Sequence, residues 1–157
     1  MVTEPTAAII LAGGRATRLG GVDKPSIMVG GVSLLERVVA AVAGAGCAPI
    51  VIVGGDAHAH PDAILVQESP PFGGPVAAIA AALPHVTPHA VLLLAADLPW
   101  ADALVPALMD ARIPADADGV CAVDDTGRQQ WLAGRYRTEA IRSAIGVLRN
   151  GGRDASM

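Results

Sequence analysis

A chain of 157 residues, 52% hydrophobic and 17% charged, has material for one domain with a single core. Its formal net charge of −4 excludes a global positive field that would draw in nucleic acid or an anionic membrane. The aromatic share of 3% is a poor match to binders that stack bases, and the core material is mostly Ala, Val, Leu and Ile.

The N-terminal "MVTEPTAAIILAGG" has no basic n-region and too short an apolar run for a signal peptide, which predicts a cytoplasmic protein. Residues 7–11 form a fully buried strand, followed by a long loop to about residue 27. Ser33 is an N-cap, and Glu36 completes a capping box before "RVVAAVAGAG", a helix ending near Gly44 or Gly46. "PIVIVGG" is a second buried strand, and "AILV" at 63–66 a short third. "QESPPFGGP" is a loop, and "VAAIAAAL" a helix starting just after Pro75.

"HAVLLLAAD" is an apolar strand ending at Asp97, too short to span a bilayer. "ADALVPALMDA" is a helix carrying Pro106, and "DGVCAV" and "QWLAGRY" are strands flanking the turn "DDTGR". "TEAIRSAIGVLRN" closes the series as an amphipathic helix with Ile141, Ile145 and Leu148 on its apolar stripe. Strands alternating with helices predict a mostly parallel sheet covered on both faces, a three-layer α/β sandwich over residues 1–157. Cys47 and Cys121 form no C-x-x-C and are expected to be buried, reduced thiols.

The chemistry concentrates in "LAGGRATRLGGVDKPSI" at residues 11–27. The loop is neither G-x-G-x-x-G nor a P-loop, because Lys24 lacks that frame and precedes proline. Gly13 and Gly14 let backbone N–H groups approach phosphate oxygens as an anion-binding nest. Arg18 offers a bidentate grip on phosphate, and Lys24, the chain's sole lysine, a point charge. In open α/β sheets ligands sit at the carboxyl ends of strands, where this loop meets Asp97. A carboxylate there is costly unless paired or metal-bound, and Mg²⁺ needs few protein carboxylates. The plainer alternatives are a helix-capping Asp97 and a solvated loop carboxylate at Glu68.

"LAGGRATRLGGVDK", then "GGPVAAI", "LLLAADLPW", "WLAGRYR" and "GGRDASM" in the same order, resemble the molybdenum cofactor guanylyltransferases of the nucleotidyltransferase superfamily. The resemblance covers essentially the whole chain. It implies a Rossmann-like sheet and Mg²⁺-dependent transfer of GMP from GTP to molybdopterin, with release of pyrophosphate. It places Leu11, Ala12 and Gly13 against the nucleotide, Lys24 at its phosphates, and Asp97 on the metal. It also places Gly74 and Pro75 near the ribose. Glu68 falls where the family has an aspartate facing the nucleotide, and it could accept the paired N1–H and N2–H₂ donors of guanine or hold the ribose hydroxyls. No base is required, because a phosphate monoester is already ionised at neutral pH.

The family continues past "RDASM" with a further helix, strand and helix. This sequence also differs from the family at Ala78, usually glycine, and at "QW" 130–131, commonly His-Pro. Arg128, Trp131, Arg135 and Tyr136 are candidates for the acceptor pocket, with Trp131 more simply a core residue. His58, His60, His85 and His89 are expected to be surface residues. Two further readings stay open: a sibling enzyme acting on a sugar phosphate, phospholactate or corrinoid precursor, and a module that binds GTP or a pterin nucleotide without catalysis. Transient contact with proteins of the molybdenum cofactor pathway is expected, with no nucleic-acid or membrane partner.

Overall fold

The computed structural model describes residues 4–12, 18–19, 22–23, 28–29, 32–54, 62–67, 74–98 and 100–155, with 18–32 and 149–155 described by their backbone alone. Strand β1 (Thr6–Leu11) is buried throughout. Two short ribbons follow it: β2 (Arg18–Leu19) with β3 (Val22–Asp23), and β4 (Met28–Val29) with β5 (Val32–Ser33). Helix α1 (Leu34–Gly44) starts on the predicted capping box: the Ser33 hydroxyl accepts from the Glu36 N–H at 3.0 Å, and the Glu36 carboxylate accepts from the Ser33 N–H at 3.2 Å. Then come β6 (Ile50–Val53), β7 (Ile64–Val66) and α2 (Gly74–Ala82). Helix α2 begins one residue before Pro75, at Gly74, whose φ of +88° glycine adopts without strain. The chain continues through β8 (Ala90–Ala95), α3 (Ala101–Asp110), β9 (Gly119–Val123), β10 (Gln129–Arg137) and α4 (Thr138–Ala155).

One six-stranded sheet has the order β7-β6-β1-β8-β10-β9. Its first four strands are parallel, while β10 runs antiparallel to both β8 and β9. Buried strands alternate their side chains between two apolar layers. Ala8, Ile10, Ile52, Leu92 and Leu94 join Val38, Val42 and Val105 of α1 and α3 on one face. Ala7, Ile9, Val51, Val91 and Leu93 join Ile79 and Ala82 of α2 and Ile145 of α4 on the other. This is the predicted three-layer sandwich. The stripe on α4 is shorter than its spacing predicts, since Ile145 is buried and Leu148 is 57% exposed. Cys47 is buried as expected, Cys121 only half so, and both are free thiols.

Candidate active site at the carboxyl edge of the sheet

Parallel pairing brings the ends of β7, β6, β1 and β8 to one edge, and the hydrogen-bond ladder runs one residue further. Ala12 N–H donates to the Val53 carbonyl at 2.8 Å, Ala96 N–H to Leu11 at 3.1 Å, and Gly54 N–H to Val66 at 2.9 Å. Each following loop therefore leaves from a fixed backbone position. Ala12 and Ala96 are buried beneath this edge, and Asp97 follows as a half-buried carboxylate while Leu98 packs back on the core. Helices α2 and α3 follow β7 and β8, which end here, so their N-termini, with the positive ends of their dipoles, share the edge.

Leu11, Ala12, Gly74, Pro75 and Asp97 are thus brought to one edge from three separate segments. Gly13, Gly14, Lys24 and Glu68 lie outside the described residues, as do His58 and His60, and Arg18 is described only as backbone in β2, paired with Asp23. His85 and His89 are exposed in the segment entering β8, at the opposite edge. Asp97 is not the N-cap of α3: that position belongs to Trp100. No three His, Cys, Asp or Glu residues gather into a metal cage among the described residues. A single carboxylate suits Mg²⁺, which takes its remaining oxygens from phosphates and water.

The candidates on β10 divide. Arg135 is 5% exposed, and its Nε donates to the Leu108 carbonyl at 2.8 Å while a terminal nitrogen donates to the Ala111 carbonyl. Its second terminal nitrogen lies 3.9 Å from the Glu4 carboxylate. Tyr136 is buried too, with its hydroxyl donating to the Trp131 carbonyl at 2.7 Å. Burial pushes the Tyr136 phenol up to about 12 and the Cys47 thiol up to about 11, the latter opposed by the Arg135 charge. Arg135 and Tyr136 therefore hold the fold together rather than line a pocket.

Trp131 corrects the expectation of a core residue: it is 67% exposed. β10 pairs with β8 from Arg137 opposite Ala90 to Ala133 opposite Leu94, so Trp131 lies in the part of β10 that runs past the end of β8. Trp100, three residues after Asp97 and 73% exposed, was not singled out from the sequence, although "DLPW" sets it beside the aspartate. Arg128 is exposed in the turn of the β9–β10 hairpin. Asp124 pins that turn, accepting from the Thr126 N–H, the Thr126 hydroxyl, the Arg128 N–H and the Gln130 side-chain amide at 2.6–3.0 Å. The Thr126 hydroxyl foremost, then the Arg128 and Thr126 N–H groups, hold its carboxyl below the usual range.

Residues 8–155 match the family model described as a MobA-like NTP transferase domain. A molybdenum cofactor guanylyltransferase from Nitrobacter hamburgensis is 36% identical over 108 residues, covering 61% of this chain and 50% of that protein. A probable molybdenum cofactor guanylyltransferase from Chloroflexus aggregans is 33% identical over 144 residues, covering 86% of this chain and 67% of that protein. The chain spans half to two thirds of the length of these relatives. Among solved structures, a nucleotidyl transferase from Methanothermobacter superposes with a TM-score of 0.70 at 20% identity, covering 90% of this chain and 76% of that one. The match over residues 8–155, from β1 to α4, makes this chain a member of the MobA-like NTP transferase family.

Proposed function

We propose that this chain transfers GMP from GTP to the phosphate of molybdopterin, forming the guanine dinucleotide and releasing pyrophosphate. The observation that carries the reading is the placement of Asp97 at the end of β8, next to the strand end at Leu11 and Ala12 from which the glycine-rich loop departs. The names of the relatives at 33–36% identity support the choice of guanylyl transfer.

In this reading the backbone at Leu11, Ala12, Gly13 and Gly14 receives the nucleotide, with Gly74 and Pro75 near its ribose. Glu68 accepts the paired donors of guanine, a pair that cytosine and adenine do not offer. Lys24 and Arg18 hold the phosphates. An oxygen of the acceptor phosphate attacks the α-phosphorus, the bond to the bridging oxygen breaks, and pyrophosphate leaves with that oxygen. No general base is needed, so the protein's contribution is in-line positioning and charge neutralisation. Asp97 would hold the Mg²⁺, which supplies neutralisation of the departing pyrophosphate. We place this activity in the cytoplasm, in transient contact with other proteins of the molybdenum cofactor pathway. No helix among the described residues is long and apolar enough to cross a membrane.

The test is calorimetric titration with GTP, CTP, ATP and UTP in Mg²⁺, on the native chain and on Asp97→Ala. The reading expects GTP to bind at least tenfold more tightly than the others, and the variant to weaken it. Equal affinity for all four, or a variant indistinguishable from native, overturns it.

A further inference from the structure

Helices α1 and α3 pack on the same face of the sheet and leave between them a groove of about 710 Å³. Ala40, Ala41, Gly44 and Ala45 form one wall, and Pro106 and Met109 form the other. Three charged groups line it as well: Arg37 near the start of α1, and Asp102 and Asp110 in the first and last turns of α3. Ala40, Gly44, Pro106 and both carboxylates are exposed, so the groove opens to solvent.

Two of these residues are unfavourable where they stand. Helix α1 already terminates on Gly46, which takes a φ of +82° and donates its N–H to the Ala43 carbonyl at 3.0 Å, while the Cys47 N–H reaches the Val42 carbonyl at 3.0 Å. Gly44 lies inside the last turn and needs no such freedom, and only proline is a poorer helix former. A Cβ there would meet nothing within 4 Å, so packing inside the chain does not require glycine either. Bare backbone at an exposed position admits the close approach of another molecule. Asp110 is the second misfit, because it puts a carboxylate at the helix end where the dipole is already negative. Asp102, in the first turn, stands at the end that favours it.

Charge then selects the occupant. Helix α1 ends at the amino edge, where β6 begins, and α3 runs the same way from β8 to the parallel strand β9. Arg37 therefore lies at one end of the groove and Asp110 at the other, beside the last turn of α1, which carries no basic residue. A second copy laid parallel would set Arg37 on Arg37 and Asp110 on Asp110. Reversed by a two-fold axis across the groove, each Arg37 meets the partner's Asp110 and the carbonyl end of its α1.

We infer that the groove between α1 and α3 is a self-complementary docking surface for a second copy of this chain, in antiparallel register. The inference is independent of the guanylyl-transfer reading. The helices have 11 and 10 residues and reach only about 15 Å, so the face is small and the association reversible. The two carboxyl edges then open at opposite ends of the pair.

The test is sedimentation velocity on the whole chain from about 5 to 500 μM, a range that spans weak affinities. The native chain should pass from monomer to dimer as concentration rises. Gly44→Gln fills the groove and should weaken association at least tenfold. Asp110→Arg should weaken it about tenfold, since the two-fold counts the lost pair twice. Arg37→Glu combined with Asp110→Arg should restore it to within about threefold. Thermal unfolding should show the Gly44 and Asp110 single variants no less stable than native, which separates lost docking from lost folding. A native chain that stays monomeric at 500 μM, a mass that grows beyond the dimer, or Gly44→Gln and Asp110→Arg both associating like native each overturns the interface. A folded double variant that associates no better than Asp110→Arg overturns the antiparallel register.

Discussion

Replacing Arg135 with Met separates a structural arginine from a substrate-binding one. Met fills a similar volume but donates nothing, so the Leu108 and Ala111 carbonyls at the C-terminal end of α3 lose their buried donor. An unsatisfied buried acceptor costs about 1–3 kcal/mol, and the two together would cost about 2–6 kcal/mol. Removing a guanidinium that must be desolvated returns part of that cost. The Glu4 contact at 3.9 Å adds little, because that carboxylate is half exposed. A net loss of about 3 kcal/mol lowers Tm by about 6–12 °C in a domain of this size. Thermal unfolding followed by circular dichroism reads the shift. Arg135→Lys should recover less than half of it, because an ammonium group cannot reproduce the guanidinium fork that spans both carbonyls. At temperatures well below Tm the acceptor KM should match that of the native chain. A Tm within one degree of native, or a raised acceptor KM with unchanged stability, would refute this account and return Arg135 to the pocket.

Three further outcomes are expected. Lys24→Ala should lower turnover at least a hundredfold, on the scale of losing one charge-stabilising donor, while shifting Tm by less than about 2 °C; assays of pyrophosphate release and unfolding check both, and near-normal turnover would remove Lys24 from the chemistry. The Cys47 thiol, pushed from 9.0 to about 11, ionises in the unfolded chain before it does so in the folded one. Its contribution to stability is therefore complete below pH 9 and is lost as the pH rises from 9 to 11. Urea unfolding should show the native chain losing about 2 kcal/mol more than Cys47→Ala between pH 7.5 and 10.5, and equal losses would contradict the burial argument. Gly134→Ala should lower Tm by several degrees, because a Cβ would press within 2.7 Å of the Tyr136 hydroxyl and 2.8 Å of its ring, and Tyr136→Leu in the same chain should relieve part of that loss.

Much of the fold was legible locally. Continuous apolar runs such as "AVLLLA" mark strands buried on both faces, and the Ser33–Glu36 box marks the start of α1, because these signals lie within a few residues of one another. Asp97 was legible as a candidate for a related reason: a carboxylate directly after an apolar strand needs a partner. The short ribbons β2–β3 and β4–β5 carry only two residues per strand, too few for alternation to show. Leu148 fits the helical spacing but is exposed, since the reach of the sheet beneath α4 decides where its apolar stripe ends.

The sequence alone determined the order of the sheet strands and helices and the sandwich class. It did not decide which polar and aromatic residues of β10 are buried and which are exposed. Arg135, Tyr136 and Trp131 lie within five residues of one another, yet two are buried and one stands in water. What separates them is where α3 ends, how far β10 overhangs β8, and where its register against β9 breaks. Those are contacts between segments distant in sequence, and no local pattern encodes them.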